Sequence, residues 1–299
     1  MDRGQGGLLS GEQGSPMHAF VARLAHGEHS RLSDSAQAIG SRLHELIALL
    51  RPTHDEFRAV LEFLTEVGHY TDARRHEWLL LADVLGVSSA IDDINSARPA
   101  GATPRTMIGP FYRPDAPPIP PDGSLSRDGK GETLVVGGKV VGLDGAAIAG
   151  ARIEVWHANA EGLHENQEPD GQPEFNLRGW LSSDAAGRFR FLTIKPGGYR
   201  LPAGGPVAAL AARLGLSLER PAHISFRVTA KGYQTLTTHI FDRADPAIGR
   251  DAIFGVKPEL LAEFRAVPPI KGGPAHRLDV NLVLCPEDGS AYPQSERSE

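Results

Sequence analysis

The stretch Arg220–Val228, "RPAHISFRV", reads as a β-strand, because after the proline its residues alternate between apolar and polar. His223 and Ser225 stand two apart, so both side chains leave the same face of that strand. A His-x-His pair at this spacing would supply half of a metal site, and here the second position is a serine. Three alternatives follow: a metal site short of one ligand, a site that draws its ligand from elsewhere, or no site. Outward from this stretch the same period recurs in "TLVVGGKVVGLDG", "ARIEVWHAN", "GRFRFLTI", "HISFRVTAKGY", "QTLTTHIF" and "HRLDVNLVL". Strand-sized runs broken by Asp-Gly, Gly-Gly and Lys-Gly turns predict an antiparallel β-sandwich. There is no βαβ rhythm, no glycine-rich phosphate loop and no internal repeat.

Residues from about 36 to 97 have a different period. Leu43, Leu46, Ile47 and Leu50 repeat at helical spacing, and after Pro52 the pair Thr53 and Glu56 forms a capping-box pattern. Phe57, Val60, Leu61 and Leu64 continue the stripe, and "RRHEWLLLADVLGVSSAIDDI" extends as helix with a break near Gly86. Such stripes suit a core or a subunit interface. The Pro/Gly-rich connector "RPAGATPRTMIGPFYRPDAPPIPPDGS" follows, of a kind that is often functional. The organisation expected is a disordered tail over 1–16, a helical domain over 17–100, a β-sandwich over 101–285 and a C-terminal tail over 286–299. The fold class is thus mainly β with an N-terminal helical domain.

Composition narrows the chemistry. The 299 residues carry a formal charge of -6, which excludes a broad nucleic-acid surface. The single cysteine, Cys285, rules out an intramolecular disulfide framework and a cysteine zinc cluster. With no apolar run of membrane length and no secretory signal, the expected compartment is cytoplasmic. Of the twelve histidines, those of the N-terminal third lie among polar neighbours and read as surface residues. In the β region His164, Tyr199, Arg220, His223 and His239 are the groups able to carry chemistry. Taken one at a time, each equally suits an ordinary structural role.

Taken together, the motifs resemble those of the intradiol ring-cleavage dioxygenases, the catechol and hydroxyquinol 1,2-dioxygenase group. The stretches that carry the resemblance are "LLADVLGVSSAIDDIN", "RPAGATPRTMIGPFY", "IEVWHAN", "QPEFNLRGW", "TIKPGGYRLPAGGPV", "RPAHISF", "TTHIFD" and "DAIFGVK", in order between roughly Leu43 and Leu284. The first two lean toward the hydroxyquinol branch. The resemblance implies a helical dimerisation domain, a β-sandwich catalytic domain and a ferric ion held by two tyrosinates and two histidines. Family members hold a lipid at the helical interface, so a homodimer with bound lipid is a further expectation.

Projected onto this chain, the second tyrosine is Tyr199 and the first histidine is His223. The first tyrosine falls on His164 and the second histidine on Ser225, while a family glutamine has become His239. The implied metal ligands are therefore His164, Tyr199, His223 and, recruited in place of Ser225, His239. Arg220 and Tyr199 are the implied catalytic residues. Leu80, Asp83, Met107, Ile108, Pro110, Phe111 and Ile253 are the implied substrate wall, with Asp83 a partner for an extra ring hydroxyl. Losing one tyrosinate favours a divalent ion, Fe(II) or Zn(II), over Fe(III). The readings are a dioxygenase with a retuned iron site acting on a small aromatic substrate and dioxygen, a divalent-metal hydrolase, or a non-catalytic aromatic-binding homologue.

Overall fold

The structure, a computed structural model, describes residues 16–24, 30–72, 75–95, 98–270 and 273–287. The tails expected at the two ends lie almost wholly outside these residues. The chain divides into two compact units, one ending at Glu66 and the other beginning at Val67.

The first unit is helical: α1 (Pro16–Leu24), α2 (Arg31–Leu50) and most of α3 (His54–His69). The capping box predicted from sequence is present, with the Thr53 amide donating to Glu56 Oε2 (2.7 Å) and the Glu56 amide donating to Thr53 Oγ1 (3.2 Å). The apolar stripe of α2 forms no core within the chain, for α2 has no buried residue.

In the second unit, α4 (Glu77–Val84) and α5 (Val87–Asn95) meet at Gly86, whose φ of +72° marks the break expected there. Buried Glu77 at the start of α4 accepts from Arg75 Nε (2.7 Å) and from the Val207 amide (3.1 Å). The second bond satisfies a free N–H at the start of α6 (Pro206–Leu214) and ties the two helices together.

The strands of this unit are β1 (Thr133–Gly142), β2 (Arg152–Trp156), β3 (Arg178–Ser182), β4 (Arg188–Ile194), β5 (Tyr199–Arg200), β6 (Glu219–Arg220), β7 (His223–Thr229), β8 (Leu236–Asp242), β9 (Leu261–Ala262), β10 (Arg265–Ile270) and β11 (Gly273–Leu284). They form a sheet in the order β10-β11-β1-β4, a sheet in the order β3-β2-β7-β8-β9 and a small ladder of β5 with β6. A single core joins the two larger sheets, with Leu134, Val136, Phe191 and Leu278 from one and Ile153, Val155, Ile224 and Phe226 from the other.

Two details differ from the expectation. The sandwich is not wholly antiparallel, since β1 pairs β11 in parallel from Thr133↔Ala275 to Gly142↔Leu284, and β8 pairs β9 in parallel. Strands so distant in sequence have no hairpin to fix their direction. The stretch from Arg220 to Val228 is also not one strand. Pro221 has no N–H for a ladder, and it separates β6 from β7 so that Arg220 pairs with Tyr199 instead.

Candidate metal centre and substrate pocket

β7 and β8 set the frame. Ile224, Phe226 and Val228 point into the core, so His223 and Ser225 leave the opposite face. In the antiparallel register Ser225 stands directly across from His239, and His223 across from Phe241. Cross-strand partners share a face, which puts the His239 imidazole beside the position of the serine. The polar face that the alternation leaves outward is covered here: His223, Ser225 and His239 are all buried.

Two loops bring the other rings. Tyr199 opens β5, and its phenol oxygen accepts a hydrogen bond from Nη1 of Arg220 across the ladder (3.1 Å). His164 precedes a single 3-10 turn at Glu165–Gln167, with its amide donating to Gln167 Oε1 (2.9 Å). The two loops touch backbone to backbone. The Gly197 amide donates to the Asn159 carbonyl (2.9 Å), and a Cβ on Gly162, which has φ +84°, would lie 2.3 Å from the Gly198 carbonyl oxygen. Glycine is required there both by the close approach and by the left-handed backbone.

The result is a chain of ring contacts: His164 to Tyr199 at 5.9 Å between centroids, Tyr199 to His223 at 5.6 Å, and His223 to His239 at 4.7 Å. Phe111 stacks on His164 at 4.2 Å and 19° between planes. Arg178, itself buried, steadies this stack by donating to the Phe111 carbonyl (2.6 Å) and pairing with Glu165 next to His164. Arg178 lies in the motif "QPEFNLRGW" and Glu165 directly follows His164, but a buried Arg–Glu pair across two loops has no signal in one sequence.

Burial dominates the electrostatics. It pushes His164, His223 and His239 well below the usual imidazole range, helped for His164 by neighbouring His223 and for His223 and His239 by Arg220. All three rings are thus neutral at pH 7, the form that ligates metal. His223 Nδ1 is bonded to the Pro221 carbonyl (2.8 Å), which fixes the proton there and leaves the Nε2 lone pair open. Nδ1 of His164 and Nδ1 of His239 are buried without a hydrogen-bond partner. Among the described residues no three His, Cys, Asp or Glu side chains converge closely enough to hold a metal ion. Tyr199 links His164 to His223 in the chain of rings, with contacts to both. Neutral imidazoles beside an arginine-bonded phenol are donor types that suit a transition-metal ion.

Arg220 is buried and pairs with Asp251 (Nε to Oδ1, 3.1 Å), leaving Nη2 without a partner. Asp83 on α4 has an unpartnered buried Oδ1, and burial raises its carboxyl above the usual range, offset in part by Ser88 and Arg220. Leu80 shares its helix. Met107 and Ile253 line a small cavity with His239, whereas Ile108 and Pro110 are exposed. A larger cavity, about 610 Å³, lies elsewhere against β1, β4 and β11. It holds none of the four rings, and two of its arginines are engaged in the pairs Arg190–Asp122 and Arg277–Asp279.

Residues 107–284 match the family described as Dioxygenase, and residues 29–103 match the one described as Catechol dioxygenase N terminus. The chain belongs to the intradiol dioxygenase family. Hydroxyquinol 1,2-dioxygenase of Rhizobium sp. (strain MTP-10005) is 43% identical over 247 residues, 83% of this chain and 84% of that one. Catechol 1,2-dioxygenase of Acinetobacter baylyi is 33% identical, covering 79% and 77%. The crystal structure of hydroxyquinol 1,2-dioxygenase from Pseudomonas putida DLL-E4 superposes with a TM-score of 0.87 at 31% identity, over 91% of this chain and 97% of that one. Intradiol dioxygenases are non-haem iron enzymes, and the helical region followed by a β-rich domain is their architecture. No helix among the described residues is long and apolar enough to cross a membrane.

Proposed function

We propose that this intradiol dioxygenase cleaves a catechol- or hydroxyquinol-like ring through an iron ion that would draw together His164, Tyr199, His223 and His239, whose imidazoles do not converge on one point without it. The observation that carries the reading is the placement of His239 across from Ser225, where an imidazole two residues beyond His223 is missing. Bound iron supplies the electrophilic, redox-active centre at which the two ring hydroxyls and dioxygen are brought to react. With one phenol and three imidazoles the set carries one anion fewer than two tyrosinates and two histidines, and so it tolerates Fe(II) better than that set does.

The chain's own groups do the remaining work. Tyr199, whose phenol would release its own proton to water on binding the ion, would then take the proton of a ring hydroxyl on Oη, with Arg220 Nη1 stabilising the oxygen while it is charged. Arg220 Nη2, free and buried, offers a second donor to negative charge that builds on the substrate. Asp251 holds that guanidinium in place. Asp83 presents a carboxyl oxygen to a third ring hydroxyl, which favours a hydroxyquinol-like ring over catechol. Phe111, stacked on His164, closes one side against water.

Oxygen uptake by the iron-loaded protein with hydroxyquinol, catechol and a chlorinated catechol tests this. Stoichiometric uptake with a ring-opened acid as product, fastest for hydroxyquinol, is expected. No uptake with any of the three, from protein shown to contain iron, would sink the reading.

A further inference from the structure

His223 and His239 differ in what secures them. The Nδ1 proton of His223 is anchored on the Pro221 carbonyl, whereas His239 Nδ1 has no protein partner. A second buried polar atom beside it is in the same condition: Thr106 Oγ1. The connector is laid along β8 by two bonds, from the Thr106 amide to the Thr237 carbonyl (2.9 Å) and from the Thr238 hydroxyl to the Pro104 carbonyl (2.7 Å). Thr106 and His239, 7% and 3% exposed, thereby come to line one cavity of about 10 Å³, whose walls also include Met107 and Ile253 and the polar residues Ser89, Asp92, Arg105 and Lys257.

That volume decides what enters it. A site of about 10–15 Å³ admits one water molecule and nothing larger, and a buried water needs at least two polar partners. Leaving a buried donor and a buried acceptor both unpaired would cost about 1–3 kcal/mol each. A metal-bound imidazole, moreover, nearly always donates its outer N–H to an acceptor that fixes its tautomer.

We propose that a single buried water bridges Thr106 Oγ1 and His239 Nδ1, accepting the imidazole N–H and so turning the Nε2 lone pair toward the metal. Thr106 is then a positioning residue that acts on the centre through this water. The inference rests on His239 being a ligand, and it adds the device that lets an imidazole serve from β8, where no backbone carbonyl secures it.

Three variants and one structure test it. Iron affinity is read by chelator competition for the wild type, Thr106→Val, Thr106→Ser and His239→Ala, and the wild-type protein is crystallised with iron. Thr106→Val keeps the shape and removes the hydroxyl, so affinity is expected to fall by about 10-fold or more, the range typical of such outer partners. Thr106→Ser keeps the hydroxyl and should bind iron as the wild type does, and the crystal should show a water within hydrogen-bond distance of both atoms. Wild-type affinity in Thr106→Val, an equal loss in Thr106→Ser, or a dry cavity in the crystal would each overturn the proposal. If His239→Ala binds iron as tightly as the wild type, the ligand assignment itself is wrong; if only His239→Ala is impaired, the assignment stands and the water bridge falls.

Discussion

Ser225 and His239 stand opposite each other on neighbouring strands, at the positions where the family resemblance implies a histidine and a glutamine. On the proposed ligand set, an imidazole at 225 would reach the site from β7 and one at 239 from β8, so that a single imidazole would serve from either. Two substitutions can test this as a coupled pair. His239→Gln alone removes the imidazole and should lower iron affinity at least 10-fold. Ser225→His added to His239→Gln returns the family's arrangement and should restore most of the loss, read by the same chelator competition. A double variant no better than the single one would show that the two positions do not substitute for each other. The candidates themselves were legible as residue types in strand-like runs. Their juxtaposition was not, because it depends on the register of a hairpin whose turn, around residues 230–235, could be drawn at several lengths. Thr106 was less legible still: its only mark in the sequence is a place in a Pro/Gly-rich connector.

At the scale of elements, the site depends on two loops that no strand ladder joins. The one carrying His164 and the one carrying Tyr199 meet through Gly162, Gly197 and Gly198, with Gly197 Cα so placed that a Cβ would fall 2.2 Å from the Ala160 carbonyl oxygen. Gly162→Ala adds a methyl against the Gly198 carbonyl at a φ of +84°, where an L residue is strained. Both effects push the loops apart, at a cost of about 1–3 kcal/mol. Unfolding in urea should register that loss, and iron affinity should fall with it because His164 and Tyr199 no longer meet. Unchanged iron binding in a destabilised Gly162→Ala protein would mean that the loop contact supports the fold without organising the centre. Helices, their caps and the strand segments follow from local periodicity, which is why α3 begins with the capping box expected of it. The parallel pairing of β1 with β11 has no such source, since about 130 residues separate the two strands and only packing of the completed core selects their direction.

For the whole molecule, the consequence of burying so many imidazoles is a dependence of stability on pH. His157 shows it with the fewest complications: it lies outside the four rings, with Nδ1 bonded to the Ala158 carbonyl (2.7 Å) and Nε2 to Thr193 Oγ1 (2.6 Å). Burial pushes it down from 6.5 to about 4, against a smaller upward pull from the Ala158 carbonyl. His164, His223 and His239 shift the same way. An imidazole depressed in the folded state takes up its proton first in the unfolded chain. Below pH 6.5 the unfolded state therefore binds more protons, and stability falls as the pH falls, until the folded protein also protonates near pH 4. For His157 alone the full window from 6.5 to about 4 is worth about 3 kcal/mol, at 1.4 kcal/mol per pH unit. Urea unfolding of the metal-free protein should accordingly show stability constant above pH 7 and declining steeply between pH 6.5 and 5, by more than the value for one histidine. A flat profile across that interval would mean that the imidazoles protonate within the fold, which requires water to reach them. The neutral, lone-pair-bearing rings on which metal binding is argued would then not exist at pH 6, and the site would lose its chemical basis along with its burial.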